Sequence, residues 1–237
     1  MTPILEARDV ELARRLNRTS LEVGPSKMIA IIGPNGSGKT SLLRALAGIE
    51  ATSGTVRVCG ESPDEASPSR RMRLLSFLPA SRNVIWPISV RDVIALGLSS
   101  PDPGRIERLI EQLELQALVD RPVSRLSTGE RARALIARAL AACPSLLLLD
   151  EPLSNLDPYW VLKTLKILRS ETAAHASSAL VSVHDLDQVA EFDRVILIDR
   201  GSVAADGSPE EILNSPKLSK AFRIDRVQAG WRILEDA

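Results

Sequence analysis

The residues able to do chemistry gather in one octapeptide, Gly33-Pro34-Asn35-Gly36-Ser37-Gly38-Lys39-Thr40, and one dipeptide, Asp150-Glu151. The octapeptide fits the pattern GxxxxGK[ST], whose glycines let backbone N–H groups turn inward around a polyphosphate without Cβ clashes. Lys39 then reaches the β- and γ-phosphates, the Thr40 hydroxyl is placed to ligate Mg²⁺, and Ser41 continues the same nucleotide-binding turn. Asp150 and Glu151 end an all-apolar run, residues 146–149, as a buried central strand does when its C-terminal end opens at a nucleotide site. Asp150 can hold Mg²⁺ directly or through water, and Glu151 can orient and polarise the attacking water as a general base. Roughly 110 residues separate this pair from Lys39, so the fold must bring them together.

The flanking sequence supplies that scaffold. Residues 28–32 read as a strand entering the glycines and 41–48 as an amphipathic helix leaving them, with Gly48 as its C-cap. A helix beginning near Gly38 points the positive end of its dipole at a bound phosphate. Upstream, residues 4–12 and 19–23 alternate as a hairpin around the basic turn 14–18; downstream, 55–59 and 74–78 read as short strands. Residues 81–142 become helical: Ile106, Leu109, Ile110, Leu113 and Leu115 share a face, and a second helix spans 131–142. From Leu146 onward, strands at 146–149, 179–183 and 195–198 alternate with helices at 158–173 and 185–192, which implies a parallel sheet with helices on its faces. Ser208-Pro209-Glu210-Glu211 is a capping box that starts a helix running to about Asn214.

A chain of 237 residues, 44% hydrophobic and 25% charged, can bury a full core as one large domain or two small ones. Thirty basic residues balance thirty acidic ones, which argues against a broad nucleic-acid or anionic-membrane surface. Cys59 and Cys143 lie far apart and read as small core residues of a reducing compartment. No signal peptide is expected, and the longest apolar tract, 134–149, is broken by Arg138 and Pro144 and too short to cross a bilayer. Work at a membrane would need a partner.

These stretches, in this order, resemble the ATP-binding-cassette (ABC) ATPases over nearly the whole chain. Leu126-Ser127-Thr128-Gly129-Glu130 is similar to the family's signature loop, usually Leu-Ser-Gly-Gly-Gln; Ser154-Asn155-Leu156-Asp157 resembles its D-loop; and His184 resembles its switch histidine. The resemblance implies an α/β P-loop NTPase fold: a RecA-like core with an antiparallel β subdomain and a helical subdomain at about 81–142, within a single domain spanning 1–237. It implies Mg²⁺ and ATP as ligands, with Lys39, Glu151 and His184 in catalysis and Thr40 and Asp150 on the metal. In the family two cassettes face head to tail. Carried over, Ser127, the N–H of Gly129 and Glu130 would close on ATP held by the other cassette, Asp157 would help couple the two sites, and His184 would hydrogen-bond the γ-phosphate. His175, by contrast, reads as a solvated residue.

Four positions depart from the family pattern. Ala80 occupies the place of a glutamine that touches Mg²⁺ and relays the nucleotide state to the membrane partner; its methyl can do neither, so hydrolysis slows or coupling changes unless Ser81 substitutes through a one-residue shift. Arg14 lies near the usual adenine-stacking aromatic. A guanidinium can stack instead, at about 0.5–2 kcal/mol, and base selectivity is expected to be modest. Thr128 replaces a glycine and requires an ordinary backbone φ, and Glu130 in place of glutamine is a milder change.

The segment 82–97 and the tail from Phe222 resemble the importers of iron chelates, haem and cobalamin. Trp86 and Ile88 are then candidate contacts to a coupling helix of the membrane subunit, or else packing residues of the helical subdomain. The expected function is an ATP-hydrolysing subunit, cytoplasmic and peripheral on the inner face of the cell membrane, that powers import of a metal chelate. Its expected partners are a second cassette, identical or different, transmembrane permease subunits and a solute-binding protein. One alternative is a non-transport ABC ATPase acting on nucleic acid or ribosomes, which the zero net charge and single cassette disfavour. The other is a nucleotide-gated subunit with weak turnover because of Ala80.

Overall fold

The computed structural model describes residues 2–50, 53–81, 87–227 and 230–234. Trp86, one of the two candidate membrane-subunit contacts, lies outside them.

Strands β1 (Leu5–Leu12) and β2 (Leu16–Val23) form an antiparallel hairpin. β2 begins three residues before the expected position because Leu16 pairs with Leu12 and both are buried, which shortens the turn to Ala13-Arg14-Arg15. Arg14 absorbs the reversal with a left-handed φ of 66°. Strand β4 (Ser53–Val58) pairs with the other edge of β1, giving the order β2-β1-β4.

The central sheet has six strands in the order β5 (Leu75–Leu78), β6 (Leu146–Leu149), β7 (Ser178–Ser182), β3 (Met28–Ile32), β8 (Arg194–Asp199) and β9 (Ser202–Gly207). The first five run parallel, and β9 returns antiparallel along the edge of β8. Every residue of β3, β6 and β7 is buried, as a parallel sheet covered on both faces demands. Alternation then divides each strand between two cores. Ile29 and Ile31 pack with the hairpin and α1 (Lys39–Leu46), whereas Met28, Ala30 and Ile32 face the helices on the other side.

Helix α1 leaves the glycine loop and ends at Ala47, its cap, one residue before the expected Gly48, which follows with φ 63°. Helix α2 (Pro68–Leu74) leads into β5. Between β5 and β6 come α3 (Val90–Ala95), α4 (Pro103–Gln112) and α5 (Thr128–Leu140), which pack on one another. The apolar face read from 106–115 is buried, but the helix stops at Gln112; Leu113 and Leu115 belong to the following turn, where Glu114 takes a φ of 49°. Helix α5 starts three residues before the expected position because the Ser127 side chain caps it.

Helix α6 (Pro158–Ala174) joins β6 to β7. Residues 186–191 form a 3-10 turn where an α-helix was expected: the Asp185 carboxylate accepts from the Asp187 N–H, two residues on, and tightens the chain. The chain ends with α7 (Pro209–Leu213), α8 (Pro216–Phe222) and the antiparallel pair β10 (Ile224–Val227) and β11 (Gly230–Ile233). Neither cysteine is fully buried as a core residue would be, although Cys59 packs against the core on the hairpin side. Both are half-buried at chain reversals, with φ of 51° at Cys59 and 47° at Cys143.

Candidate nucleotide-binding site

Strand order fixes the site. β7 lies between β6 and β3, and all three run the same way, so the glycine loop after β3, Asp150-Glu151 after β6 and His184 after β7 emerge along one edge. The loop tolerates only glycine at its tightest points. A Cβ on Gly33, whose φ is 153°, would stand 2.1 Å from the carbonyl oxygen of Ile198. At Gly38, φ 112°, it would stand 3.0 Å from the carbonyl oxygen of Arg15. The turn after β8 is sewn to the loop, since the Gly201 N–H donates to the Ser37 carbonyl at 2.7 Å and the Asn17 N–H to the Gly201 carbonyl at 2.7 Å.

Lys39 folds back beneath the loop, its Nζ donating to the carbonyls of Gly33 at 2.8 Å and Pro34 at 3.2 Å. Burial lowers its pKa below the ordinary value, while the charges of Glu151 and Asp150 pull it back up. Asp150 is buried; its Oδ1 accepts from the Ser182 hydroxyl at 2.7 Å, and its Oδ2 is without a hydrogen-bond partner among the described residues. Glu151 donates its N–H to the same Ser182 oxygen at 2.7 Å and directs its carboxylate to His184 Nε2, 2.6 Å away.

A cleft of about 530 Å³ runs beside these groups, lined by Asn35 to Ser41, Glu151, Arg14, Arg15, Asn17, Arg200 and Gly201. It therefore unites Arg14 with the glycine loop, Lys39, Thr40, Ser41 and Glu151. No aromatic side chain lines it among the described residues. The Arg15 guanidinium is held by Glu50 at 3.2 and 2.5 Å, and the Asn17 side chain bridges the Arg200 carbonyl at 3.2 Å and the Ser202 hydroxyl at 2.8 Å. Sequence reasoning missed Ser182, Asn17 and Arg200, whose places depend on strand register and on a turn remote in sequence.

The remaining candidates stand apart from this cleft. Ser127 caps α5 by accepting from the Glu130 N–H, and the Glu130 carboxylate accepts from the Ser127 N–H at 2.8 Å, a bond that lowers its pKa. Thr128 is the first helical residue and has no left-handed φ. Gly129 lies against the loop before α6: a Cβ there would be 3.4 Å from the Asn155 carbonyl oxygen. Asp157 caps α6, accepting from the Trp160 N–H at 3.0 Å. Ala80 is half-buried just beyond β5. His175 ends α6, partly exposed, with Nε2 3.5 Å from Glu171.

The donor set suits Mg²⁺. Asp150 offers a buried carboxylate oxygen without a partner among the described residues, and Thr40 a hydroxyl on the cleft wall. Among the described residues no three His, Cys, Asp or Glu side chains could enclose a metal. A few hard oxygens, completed by water and substrate phosphates, is the coordination this ion favours.

The family model for ABC transporters matches residues 16–154. A cobalamin import ATP-binding protein of Halobacterium salinarum is 32% identical over 242 residues, covering 97% of this chain and 61% of that protein, so the chain spans about three fifths of that relative. A hemin import ATP-binding protein of Bordetella avium is 32% identical over 241 residues, covering 93% of this chain and 92% of the relative. The solved structure of an ATP-binding subunit of an ABC transporter superposes with a TM-score of 0.79 over 91% of this chain and 94% of that one; at 22% identity it shows the fold alone, that of a P-loop NTPase. With the match across residues 16–154 joined to a glycine loop, Asp150-Glu151 and His184 at one sheet edge, the chain belongs to the ABC transporter family.

Proposed function

We propose that this chain is the ATP-hydrolysing subunit of an ABC importer for a metal chelate of the cobalamin or haem type. The observation that carries the chemistry is the Glu151–His184 pair, 2.6 Å apart, with Glu151 lining the cleft that holds Lys39. In this reading Lys39 exchanges its two loop carbonyls for phosphate oxygens, and the loop N–H groups and the start of α1 hold the rest of the polyphosphate. Glu151 orients the attacking water and takes its proton, while His184 fixes the carboxylate and meets the γ-phosphate. Thr40 and Asp150 would hold Mg²⁺, which would supply charge neutralisation for the phosphate oxygens.

The whole chain is read as one cassette with residues 81–142 as its helical subdomain. Ser127, Gly129, Glu130 and Asp157 lie outside the cleft, which supports a pocket completed by a second cassette, identical or different. The names of the relatives support chelate import. No described helix is long and apolar enough to cross a membrane, so permease subunits would hold the chain at the inner face. Ile49 and Leu96 leave apolar side chains exposed at a groove they share with Phe77 and Leu135, which supports a permease contact there, and a solute-binding protein would deliver the cargo.

The test is Glu151→Gln. Mg·ATP affinity should stay near wild type while hydrolysis falls about 10²-fold or more and an ATP-bound dimer accumulates. Wild-type turnover in the variant removes Glu151 from the mechanism. For the cargo, cells lacking the chain should lose uptake of cobalamin or hemin; unimpaired uptake of both removes the import reading.

A further inference from the structure

Glu151 carries the proposed base on a backbone that glutamate rarely adopts, with a left-handed φ of 50°. The neighbouring strand supplies a brace. β6 and β7 pair in parallel with Leu149 opposite Val181, so the next residue of β7, Ser182, comes beside Asp150 and Glu151. Its hydroxyl accepts from the Glu151 N–H at 2.7 Å and donates to Asp150 Oδ1 at 2.7 Å. A hydroxyl has one proton and two lone pairs, and here the proton goes to one residue of the pair while a lone pair serves the other. Ser182 and Asp150 are each only 1% exposed, so water does not compete for these bonds.

The consequence for Asp150 is directional. With Oδ1 engaged by Ser182, turning the carboxylate costs that bond, and Oδ2 is the oxygen left without a partner among the described residues. An aliphatic residue at position 182 would pack in this buried strand equally well, but would strand both the Glu151 N–H and Asp150 Oδ1.

We propose that Ser182 is a positioning residue of the hydrolytic site: one hydroxyl aims Asp150 at the metal and holds Glu151 turned toward His184. The proposal rests on the ATPase reading above. Ser182 is buried and does not line the cleft, so it acts through the two carboxylates.

The full-length chain and its S182A and S182T variants should be compared in three measurements: ATP affinity in EDTA, the Mg²⁺ concentration that half-saturates its effect on ATP affinity, and steady-state kcat and KM. In S182A, metal-free ATP affinity should stay within about twofold of wild type, half-saturating Mg²⁺ should rise about tenfold, and kcat should fall about 10- to 100-fold with little change in KM. S182T, which keeps the hydroxyl, should return to within about threefold of wild type. Should S182A fail to fold, S182C takes its place, since a thiol keeps the size but donates weakly. Wild-type Mg²⁺ dependence and kcat in the folded alanine or cysteine variant overturn the proposal. So does a loss of metal-free ATP affinity as large as the loss of kcat, which would mark general damage. Failure of the wild-type chain itself to bind or hydrolyse ATP would instead overturn the ATPase reading.

Discussion

Arg105→Met should destabilise the protein severely although it touches no group of the nucleotide cleft. Arg105 leaves the first turn of α4 and meets Glu171 of α6 through two bonds, Nη1 to Oε1 at 3.1 Å and Nη2 to Oε2 at 2.5 Å; Nη2 also donates to the Leu140 carbonyl at the end of α5, at 2.9 Å. The two side chains are only 6% and 8% exposed. Burial disfavours the guanidinium charge, but the Glu171 hydrogen bond and charge more than offset this, so its pKa is raised. Methionine fills much of the same volume and leaves the carboxylate buried, with the His175 imidazole 3.5 Å away as a partial substitute. Stranding one member of such a pair costs about 3–5 kcal/mol, whereas the Leu140 carbonyl keeps its bond from the Cys143 N–H at 3.1 Å. For a domain of this size each kcal/mol moves the melting temperature by about 2–4 °C, so the variant should melt roughly 6–20 °C lower.

Calorimetry or urea unfolding measures this directly, and the double variant R105M/E171L supplies the control. With both charges gone it should recover to within about 1–2 kcal/mol of wild type, because desolvation offsets most of the attraction in a buried pair. ATP affinity should be unchanged, because the glycine loop lies on other elements. A drop below about 3 °C in the single variant, or a double variant as unstable as the single, would refute the reasoning.

Gly33→Ala should cost about 1–3 kcal/mol and at least about tenfold in ATP affinity, since its Cβ would meet a backbone oxygen that cannot yield; unchanged melting and binding would show that the loop shifts freely. Ala80→Gln should raise ATP turnover about tenfold or more if the missing amide limits hydrolysis, and equal, robust rates in both proteins would remove Ala80 as the limit. ATP and GTP should bind within about threefold of each other, and Arg14→Ala should weaken both alike by about 2- to 30-fold, the range of a guanidinium–base stack. A preference for ATP above about 30-fold in wild type would mean that the base is read by contacts other than these arginines.

What the sequence disclosed was what a short window can encode. The strand–glycine–helix unit at residues 28–46, the Leu146–Leu149 strand and the capped starts of α6 and α7 each carry their cause within a few residues, so pattern alone located them. The edge strand β9 is half-exposed along most of its length and shows no alternation to read. The helix α8 and the β10–β11 pair were missed for a similar reason: both are short, and they bury few side chains. Ser182 and Arg105 were invisible for a different reason. Their partners lie 32 and 66 residues away along the chain, so each reads as an ordinary strand serine and an ordinary helix arginine until the register is known.

The cleft also reveals how the chain presents charge on a rigid edge. Arg14, Glu151 and Arg200, with φ of 66°, 50° and 47°, are left-handed without being glycine, and all three line the same cavity as the left-handed Gly36 and Gly38. Each such residue costs on the order of 1–2 kcal/mol, and its persistence requires surroundings that over-determine it. Those surroundings are visible: the Ser182 hydroxyl under Glu151, the Leu12–Leu16 pair closing the turn at Arg14, and Asn17 gripping the Arg200 carbonyl. In an extended conformation these residues would prolong their strands; in the left-handed one the chain reverses at once and leaves their side chains on the rim of the cleft. Buried strands thus stabilise the strained turns, and the strained turns place two guanidinium groups and one carboxylate around a cradle built for phosphate.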